Sequence, residues 1–173
     1  MTKNCQFLSM RQRQRGFTLI ELMVALVVLG ILVTVGIPGF QNIIRDNRAT
    51  SISNELLGAV QFARSTAVSG ESTNRVVVCP VCDDPNHDCN ACGNDWQEGW
   101  MVLVEGPNEV LRSRGPFPGG VSINAPALIR FSNMGTVMGT TGDIDISIDV
   151  ELGSSTASRA MTVFPSGFSR IDN

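Results

Sequence analysis

The sequence predicts an α+β fold in which one long N-terminal helix packs, through its second half, on an antiparallel β domain of two small sheets. Residues 17–40 form an almost unbroken apolar run. Residues 41–70 place apolar side chains at three- and four-residue steps, which is the period of a helix. From residue 75 onward, short runs rich in β-branched residues alternate with Gly- and Pro-containing turns, a pattern typical of antiparallel strands.

Residues 1–16 form a basic leader. Its charged residues are Lys3, Arg11, Arg13 and Arg15, and it contains no acidic residue. The rest of the chain has nine Arg, no Lys and all sixteen acidic residues, so its net charge is about −7 against −3 for the whole chain. Because basic flanks stay on the cytoplasmic side of a membrane helix, we expect a cytoplasmic leader and an exported C-terminal part. An acidic surface without Lys is also unsuited to neutralising phosphates, so nucleic-acid binding is not expected.

The apolar run of residues 17–40 has the length of a membrane helix. At the helical rise per residue it extends roughly 35 Å, enough to cross the hydrocarbon core of a bilayer. Its one charged residue is Glu21. A carboxylate in hydrocarbon costs a few kcal/mol, which indicates a functional role for it. A plain signal anchor accounts for the hydropathy equally well but leaves Glu21 unexplained.

Residues 41–70 are predicted to form the amphipathic second half of the helix. Pro38 can kink the junction because it lacks a backbone donor, and Gly70 is a suitable residue at which the helix can end. The predicted buried stripe consists of Ala49, Ile52, Leu56, Ala59, Val60, Ala63 and Ala67.

The β domain is predicted to occupy residues 71–173. Its predicted strands are residues 75–79, 100–105, 110–114, 128–132, 144–152 and 161–164. The clearest alternation is in residues 144–152, where apolar side chains alternate with Asp, Ser and Glu. These oxygens suggest a calcium loop, but Ile148 stands where an EF-hand requires Gly, so we interpret the segment as a strand with a solvated face.

Two CxxC pairs lie in a loop of residues 79–92. The cysteines are Cys79, Cys82, Cys89 and Cys92. Outside the membrane an even number of cysteines favours two disulfides, and three connectivities are possible. A zinc site or a redox-active centre remains an alternative, because four thiolates can complete a tetrahedral shell. Cys5 lies in the basic leader, outside this loop.

The sequence gives no indication of catalysis. His87 is the single His and lies in a polar part of the Cys loop. No Ser-His-Asp or Cys-His set can be assembled around it, and no phosphate-binding Gly loop is present. We therefore expect neither an enzyme nor a cofactor.

The segment from Gly16 to Glu21, Gly-Phe-Thr-Leu-Ile-Glu, resembles the signal of type IV prepilins, as do the basic leader before it and Pro38 after the apolar run. In that family a membrane peptidase cleaves after the Gly and methylates the new N-terminal residue. The resemblance implies cleavage between Gly16 and Phe17, methylation of the Phe17 amine, and roles for Glu21 and Pro38 in assembly. Glu21 would meet the amine of a neighbouring subunit, an attraction that desolvation partly offsets.

Five later motifs carry a second resemblance. They are Ala63-Arg64-Ser65-Thr66-Ala67, Arg75-Val76-Val77-Val78-Cys79, Trp96-Gln97-Glu98-Gly99-Trp100-Met101-Val102, Ile129-Arg130-Phe131-Ser132-Asn133-Met134-Gly135 and Val163-Phe164-Pro165-Ser166-Gly167. Together they resemble the GspH/FimT branch of minor pilins and pseudopilins.

This resemblance implies a structural subunit in the tip or initiating complex of a type II secretion pseudopilus or a type IV pilus. It would be held in the bacterial inner membrane with a periplasmic C-terminal domain before it enters the filament. Its partners would be the prepilin peptidase, other pilins and the inner-membrane assembly platform.

Two other functions compete with a purely structural role. Some members of this branch bind DNA through a basic Gly-Arg-x-Arg motif near the C-terminus. This chain has Gly167-Phe168-Ser169-Arg170 there, so Phe168 replaces the first Arg and the motif is weakened. The second alternative is a membrane-anchored metal or redox module that uses the four cysteines.

Overall fold

A computed structural model describes residues 16–70, 75–82, 92–107 and 109–172. The chain divides into two compact units, Met1–Gly39 and Phe40–Asn173. The described residues form one long helix, α1 (Leu19–Ser69), followed by β-strands and a single 3₁₀ turn at Trp96–Glu98. The α+β prediction with a long N-terminal helix and two antiparallel sheets is confirmed.

The first part of α1 is apolar on all sides. Large apolar residues from Phe17 to Ile44 are exposed wherever their side chains are described, and the helix is long and apolar enough to cross a membrane. Its backbone continues through Pro38 without interruption. The boundary between the two units lies next to this proline, between Gly39 and Phe40.

The second part of α1 belongs to the second unit and buries the predicted stripe. All seven stripe residues, from Ala49 to Ala67, are at most 2% exposed. The helix ends at Ser69, and Gly70 follows with φ +70°. This left-handed conformation carries no Cβ penalty in Gly, so the predicted end of the helix is confirmed.

The first sheet consists of β1 (Val76–Pro80), β2 (Trp100–Val104), β3 (Glu109–Arg114), β5 (Ile129–Phe131) and β6 (Val137–Met138). Their order in the sheet is β3-β2-β1-β5-β6, and every neighbouring pair is antiparallel. β1 and β2 are buried along their whole length, so both faces of the sheet are covered there. Full burial on both faces accounts for their continuous apolar sequences.

The second sheet consists of β4 (Val121–Asn124), β7 (Ile144–Leu152), β8 (Ser155–Val163) and β9 (Ser169–Asp172). Their order in the sheet is β4-β7-β8-β9, again antiparallel throughout. β7 and β8 form a hairpin of nine facing pairs, from Ile144↔Val163 to Leu152↔Ser155. Ile146, Ile148 and Val150 point into the core, as the alternation predicted.

One hydrophobic core joins the buried stripe of α1 to the inner faces of both sheets. It includes Leu56, Val78, Phe131, Ile148 and Met161, each fully buried. Burying a large aliphatic or aromatic side chain of this kind contributes about 1.5–3 kcal/mol. The core therefore holds the second half of α1 and the two sheets together as one unit.

Four strands differ from the sequence predictions because their patterns are short or polar. β4 and β9 have four residues each and β6 has two, too few for a period to be recognised. β8 begins at Ser155, six residues before the predicted start at Met161. Its first half is rich in Ser, Thr and Ala, and pairing with the strongly patterned β7 makes it a strand.

Candidate processing and assembly sites

The N-terminus of α1 is capped by the motif that the sequence analysis singled out. Thr18 precedes the helix, and its Oγ1 accepts a hydrogen bond from the Glu21 backbone N–H at 3.3 Å. The Thr18 carbonyl accepts the first helical bond, from the Leu22 N–H at 3.2 Å. Thr followed three residues later by Glu is the pattern of a capping box. Glu21 thus lies in the first turn, where the helix dipole favours a negative charge.

Nothing in the described chain covers the residues around this motif. Phe17 is 83% exposed, and Leu19, Ile20 and Leu22 are more than half exposed. A contiguous apolar surface of this size indicates contact with a membrane or with partner proteins. The predicted site residues Gly16, Phe17 and Glu21 therefore lie close together at the N-terminal end of an uncovered apolar helix.

A second cluster lies near the opposite end of α1, at Arg64. Its Nε donates to the Gly135 carbonyl and its Nη2 to the Ser166 carbonyl, both at 3.2 Å. Gly135 belongs to the turn between β5 and β6, and Ser166 to the turn between β8 and β9. The second turn is also joined to the start of β6 by a bond from the Val137 N–H to the Pro165 carbonyl at 2.9 Å. One helix residue thus ties the two sheets to α1; we call this arrangement the Arg64 junction.

Two glycines make the Arg64 junction possible. Gly135 and Gly167 have φ of +74° and +78°, which L-residues with a Cβ rarely adopt. A Cβ on Gly167 would lie 1.9 Å from the Gly135 carbonyl oxygen and 2.8 Å from Arg64 Nε. The two turns approach so closely that only hydrogen fits between them.

Three of the motifs quoted in the sequence analysis meet at this junction. They are the Ala63–Ala67 segment of α1, the turn that ends at Gly135 and the turn that ends at Gly167. Sequence reasoning recognised each motif but assigned no role to Arg64. The signal that could have indicated one was an Arg within a helix face rich in Ala, near two Gly-containing turns.

The cysteine loop is attached to the outer face of the first sheet. Cys79 in β1 forms a disulfide with Cys92, so the predicted disulfide is confirmed for this pair. Cys79 is fully buried in a second apolar cluster with Val77, Met101 and Leu103. The disulfide therefore holds Cys92 against this apolar cluster.

The remaining predicted loop residues are only partly described. Cys82 is disulfide-bonded, whereas Cys89 and His87 lie outside the described residues. Cys79 and Cys92 are not available as thiolate ligands, because their sulfurs are joined to each other. Within the described ranges, no group of three or more metal-binding side chains occurs.

Replacing Cys79 and Cys92 together by Ala should destabilise the β domain by about 3 kcal/mol, the loop-closure entropy expected for a loop of this length. The sequence separation of the pair is 13 residues. Denaturant unfolding of the detergent-solubilised full chain, followed by Trp fluorescence, measures the loss. Both Trp residues, Trp96 and Trp100, are buried in the domain and report on it directly. Unchanged unfolding would contradict a stabilising role for this disulfide.

The C-terminal Arg of the weakened basic motif is already neutralised. Arg170 Nε donates to Asp172 Oδ1 at 2.8 Å, and its guanidinium lies 5.4 Å from the centre of the Phe164 ring. A hydrogen bond from the Thr162 hydroxyl, and then the charge of Arg170, lower the pKa of Asp172 below its ordinary value. Asp172 thus remains ionised beside Arg170, which argues against Arg170 as a free phosphate ligand.

Two segments of the chain match models of known protein families. Residues 11–37 match the family model of the prokaryotic N-terminal methylation motif. Residues 53–167 match the family model of type II transport protein GspH, which covers more than half of the chain. No solved structure matches.

Among curated proteins, the chain is similar to type IV pilins over part of its length. It is 36% identical over 67 residues to the type IV major alpha-pilin of Moraxella bovis, covering 35% of this chain and 42% of that protein. It is 39% identical over 59 residues to the type IV major fimbrial protein FimA of Dichelobacter nodosus, covering 34% of this chain and 37% of that protein. The chain thus spans less than half the length of these relatives.

Proposed function

The chain belongs to the type II transport protein GspH family, and we propose that it is a minor pilin or pseudopilin that is processed between Gly16 and Phe17. As a structural subunit it would join the tip or initiating complex of a type II secretion pseudopilus or a type IV pilus. The observation that carries this proposal is the Gly16–Glu21 motif at the head of an uncovered apolar helix, within a match to the N-terminal methylation motif.

Before assembly, the proposed subunit is inserted in the membrane. The apolar part of α1 anchors it in the bacterial inner membrane, with the basic leader on the cytoplasmic side and the β domain in the periplasm. A prepilin peptidase removes residues 1–16 and methylates the amine of Phe17. The processed helix then leaves the bilayer and packs among the helices of other pilins, guided by the inner-membrane assembly platform.

Glu21 has the central role in this assembly step. Cleavage creates an α-amine four residues before Glu21, and inside hydrocarbon a carboxylate is stable only with a positive partner. We propose that Glu21 pairs with the Phe17 amine of a neighbouring subunit and so selects the register of packing. Pro38 lies farther along the same helix, where a missing backbone donor lets α1 adjust as the subunit enters the filament.

Replacing Gly16 by Val should block leader removal completely. We expect the wild-type chain, co-expressed with a prepilin peptidase, to lose residues 1–16 and to begin at methylated Phe17. The Gly16→Val variant should keep its full length because a branched side chain at the cleavage position hinders the peptidase. Intact-mass spectrometry of the membrane fraction distinguishes the two.

A matched control is Gly30→Val. An added Cβ at either Gly16 or Gly30 would have no atom of the described residues within 4 Å, so neither change disturbs packing in the described part of the chain. Gly30→Val should be processed like the wild type. Retention of the leader by the wild-type chain, or its loss from Gly16→Val, would contradict the proposal.

A further inference from the structure

A surface pocket of about 460 Å³ opens beside the Arg64 junction. Its size lies in the range of pockets that bind small ligands or short peptide segments. It is formed by the last turns of α1, the β5–β6 turn and the start of β9, all within the second unit. The residues that matter for its chemistry are Gln61, Arg64, Val68, Met134, Phe168 and Ser169.

The charge in this pocket is positive and unpaired. Arg64 donates to two backbone carbonyls, which are neutral acceptors, and it takes part in none of the ion pairs among the described residues. A guanidinium has five N–H donors, so three are left for a ligand. None of the described residues that line the pocket is acidic, although the chain as a whole is acidic. The pocket therefore favours an anionic group.

Two further polar groups lie in the pocket wall. Ser169 is 6% exposed, and its Oγ has no hydrogen-bond partner among the described residues. Buried hydroxyls without a partner are rare in folded proteins. Gln61 is exposed on α1, one helical turn before Arg64 and on the same face. Together with Arg64, these groups can bind an oxygen-rich ligand.

The rim of the pocket is apolar and exposed. Val68, Met134 and Phe168 are 53%, 78% and 56% exposed. The Phe168 ring stacks on Phe164 with 5.8 Å between ring centres, which holds it in place. Apolar side chains around one unpaired cation fit a ligand that carries an apolar group beside its anion.

We propose that this pocket binds a peptide segment that carries a carboxylate next to an apolar side chain, presented by another subunit of the assembly. Arg64 binds the carboxylate with charge-assisted hydrogen bonds, and Met134 and Phe168 contact the apolar side chain. The inference rests on the proposed function, because a filament subunit meets such segments on its neighbours.

Nucleic acid fits the same pocket less well. Affinity for a phosphate backbone comes from several cations that neutralise successive phosphates. The nearest further cation along β9 is Arg170, which is paired with Asp172. One available Arg with an apolar rim favours a single carboxylate on an apolar peptide.

The experiment uses the ¹⁵N-labelled full chain in detergent and two probes, acetyl-Leu-Phe with a free carboxylate and the same dipeptide as an amide. We expect saturable shifts of the backbone amide signals of Gly135, Gly167 and Ser169 with the carboxylate probe. The amide probe should bind at least about tenfold more weakly, because it lacks the charge-assisted bonds to Arg64. Equal binding of the two probes, or binding of neither, would overturn the proposal.

Variants that leave the Arg64 junction intact test whether the probes bind in this pocket. Gln61→Glu places a carboxylate in the pocket. Like-charge repulsion should then lower the affinity for the carboxylate probe at least about tenfold. Asn54→Asp makes the same chemical change at an exposed α1 position away from the pocket and should leave binding unchanged. Phe168→Ser should lower the affinity for both probes, because both carry the apolar side chain that Phe168 contacts. Equal effects of Gln61→Glu and Asn54→Asp would overturn the assignment.

A short DNA duplex is the competing probe. Shifts at the same three amides with DNA but not with the carboxylate peptide would replace the proposal by a nucleic-acid site. Leader removal is measured independently by intact mass. Failure of the peptide experiment in a chain that is processed normally would therefore refute this inference and leave the proposed function standing.

Discussion

Replacing Glu21 by Gln is expected to leave leader removal intact and to abolish incorporation into filaments. Gln keeps the size and polarity of Glu but cannot neutralise an α-amine. The neighbouring Phe17 amine would then enter the helix bundle as an unpaired charge in low dielectric, which costs several kcal/mol. Filaments sheared from the native host, probed for the variant by immunoblotting, should contain at most a few percent of the wild-type amount, as a cost of this size implies.

The structure supplies a control that separates pairing from helix capping. Glu21 is also the third residue of the helix that Thr18 caps. There its negative charge interacts favourably with the helix dipole and stabilises the helix by about 0.3–1 kcal/mol. Thr18→Val removes the capping hydroxyl, whose bond to the Glu21 N–H is 3.3 Å, and leaves the Glu21 carboxylate in place. If Glu21 acts through pairing, Thr18→Val subunits should still enter filaments.

Two outcomes would argue against the pairing role. Normal incorporation of Glu21→Gln would show that the charge is dispensable. A defect of Thr18→Val as severe as that of Glu21→Gln would assign the effect to the start of the helix. Intact-mass spectrometry must show normal loss of the leader in each variant, since an unprocessed subunit would fail to assemble for a different reason.

Features with a strong local pattern could be predicted from the sequence. The α1 stripe from Ala49 to Ala67 and the alternation in β7 both depend on residues a few positions apart. Their periods match the geometry of a helix and of a strand, so burial follows directly from spacing. The end of α1 at Ser69 was predictable from Gly70, because Gly readily adopts the left-handed conformation that ends a helix.

Features that depend on distant parts of the chain could not be predicted. Arg64 bonds to residues 71 and 102 positions away in the sequence, and no local period encodes such contacts. The pairing of Cys79 with Cys92 was one of three possibilities that spacing alone left open. The first half of β8 is a strand because β7 lies beside it. In each case the structure depends on a residue or strand from another part of the fold, which a local sequence pattern does not identify.

The position of the Arg64 junction explains how one helix residue can affect the whole β domain. The β5–β6 turn belongs to the first sheet and the β8–β9 turn to the second, and both accept a bond from Arg64. The pocket proposed for a partner segment lies against the same two turns. A change that separates the turns should therefore destabilise the domain and distort the pocket together.

Gly167→Ala should be among the most destabilising single substitutions in the β domain, with a loss of about 4 kcal/mol. The new Cβ would lie 1.9 Å from the Gly135 carbonyl oxygen and 2.8 Å from Arg64 Nε, so the turns must separate and the Arg64 bonds must break. The φ of +78° adds about 1–2 kcal/mol of backbone strain for Ala. Denaturant unfolding of the full chain, followed by fluorescence of the two buried Trp residues, measures the loss.

Gly139→Ala is the matched control for this prediction. Gly139 has a similar φ of +84°, but a Cβ there would have no atom within 4 Å in the part of the chain that the structure describes. The Gly139→Ala variant should therefore lose only the free energy of unfolding that corresponds to backbone strain, about 1–2 kcal/mol. The difference between the two variants isolates the close approach of the turns at the Arg64 junction. Equal losses for Gly167→Ala and Gly139→Ala would mean that backbone strain alone explains the effect and that the junction adds little to stability.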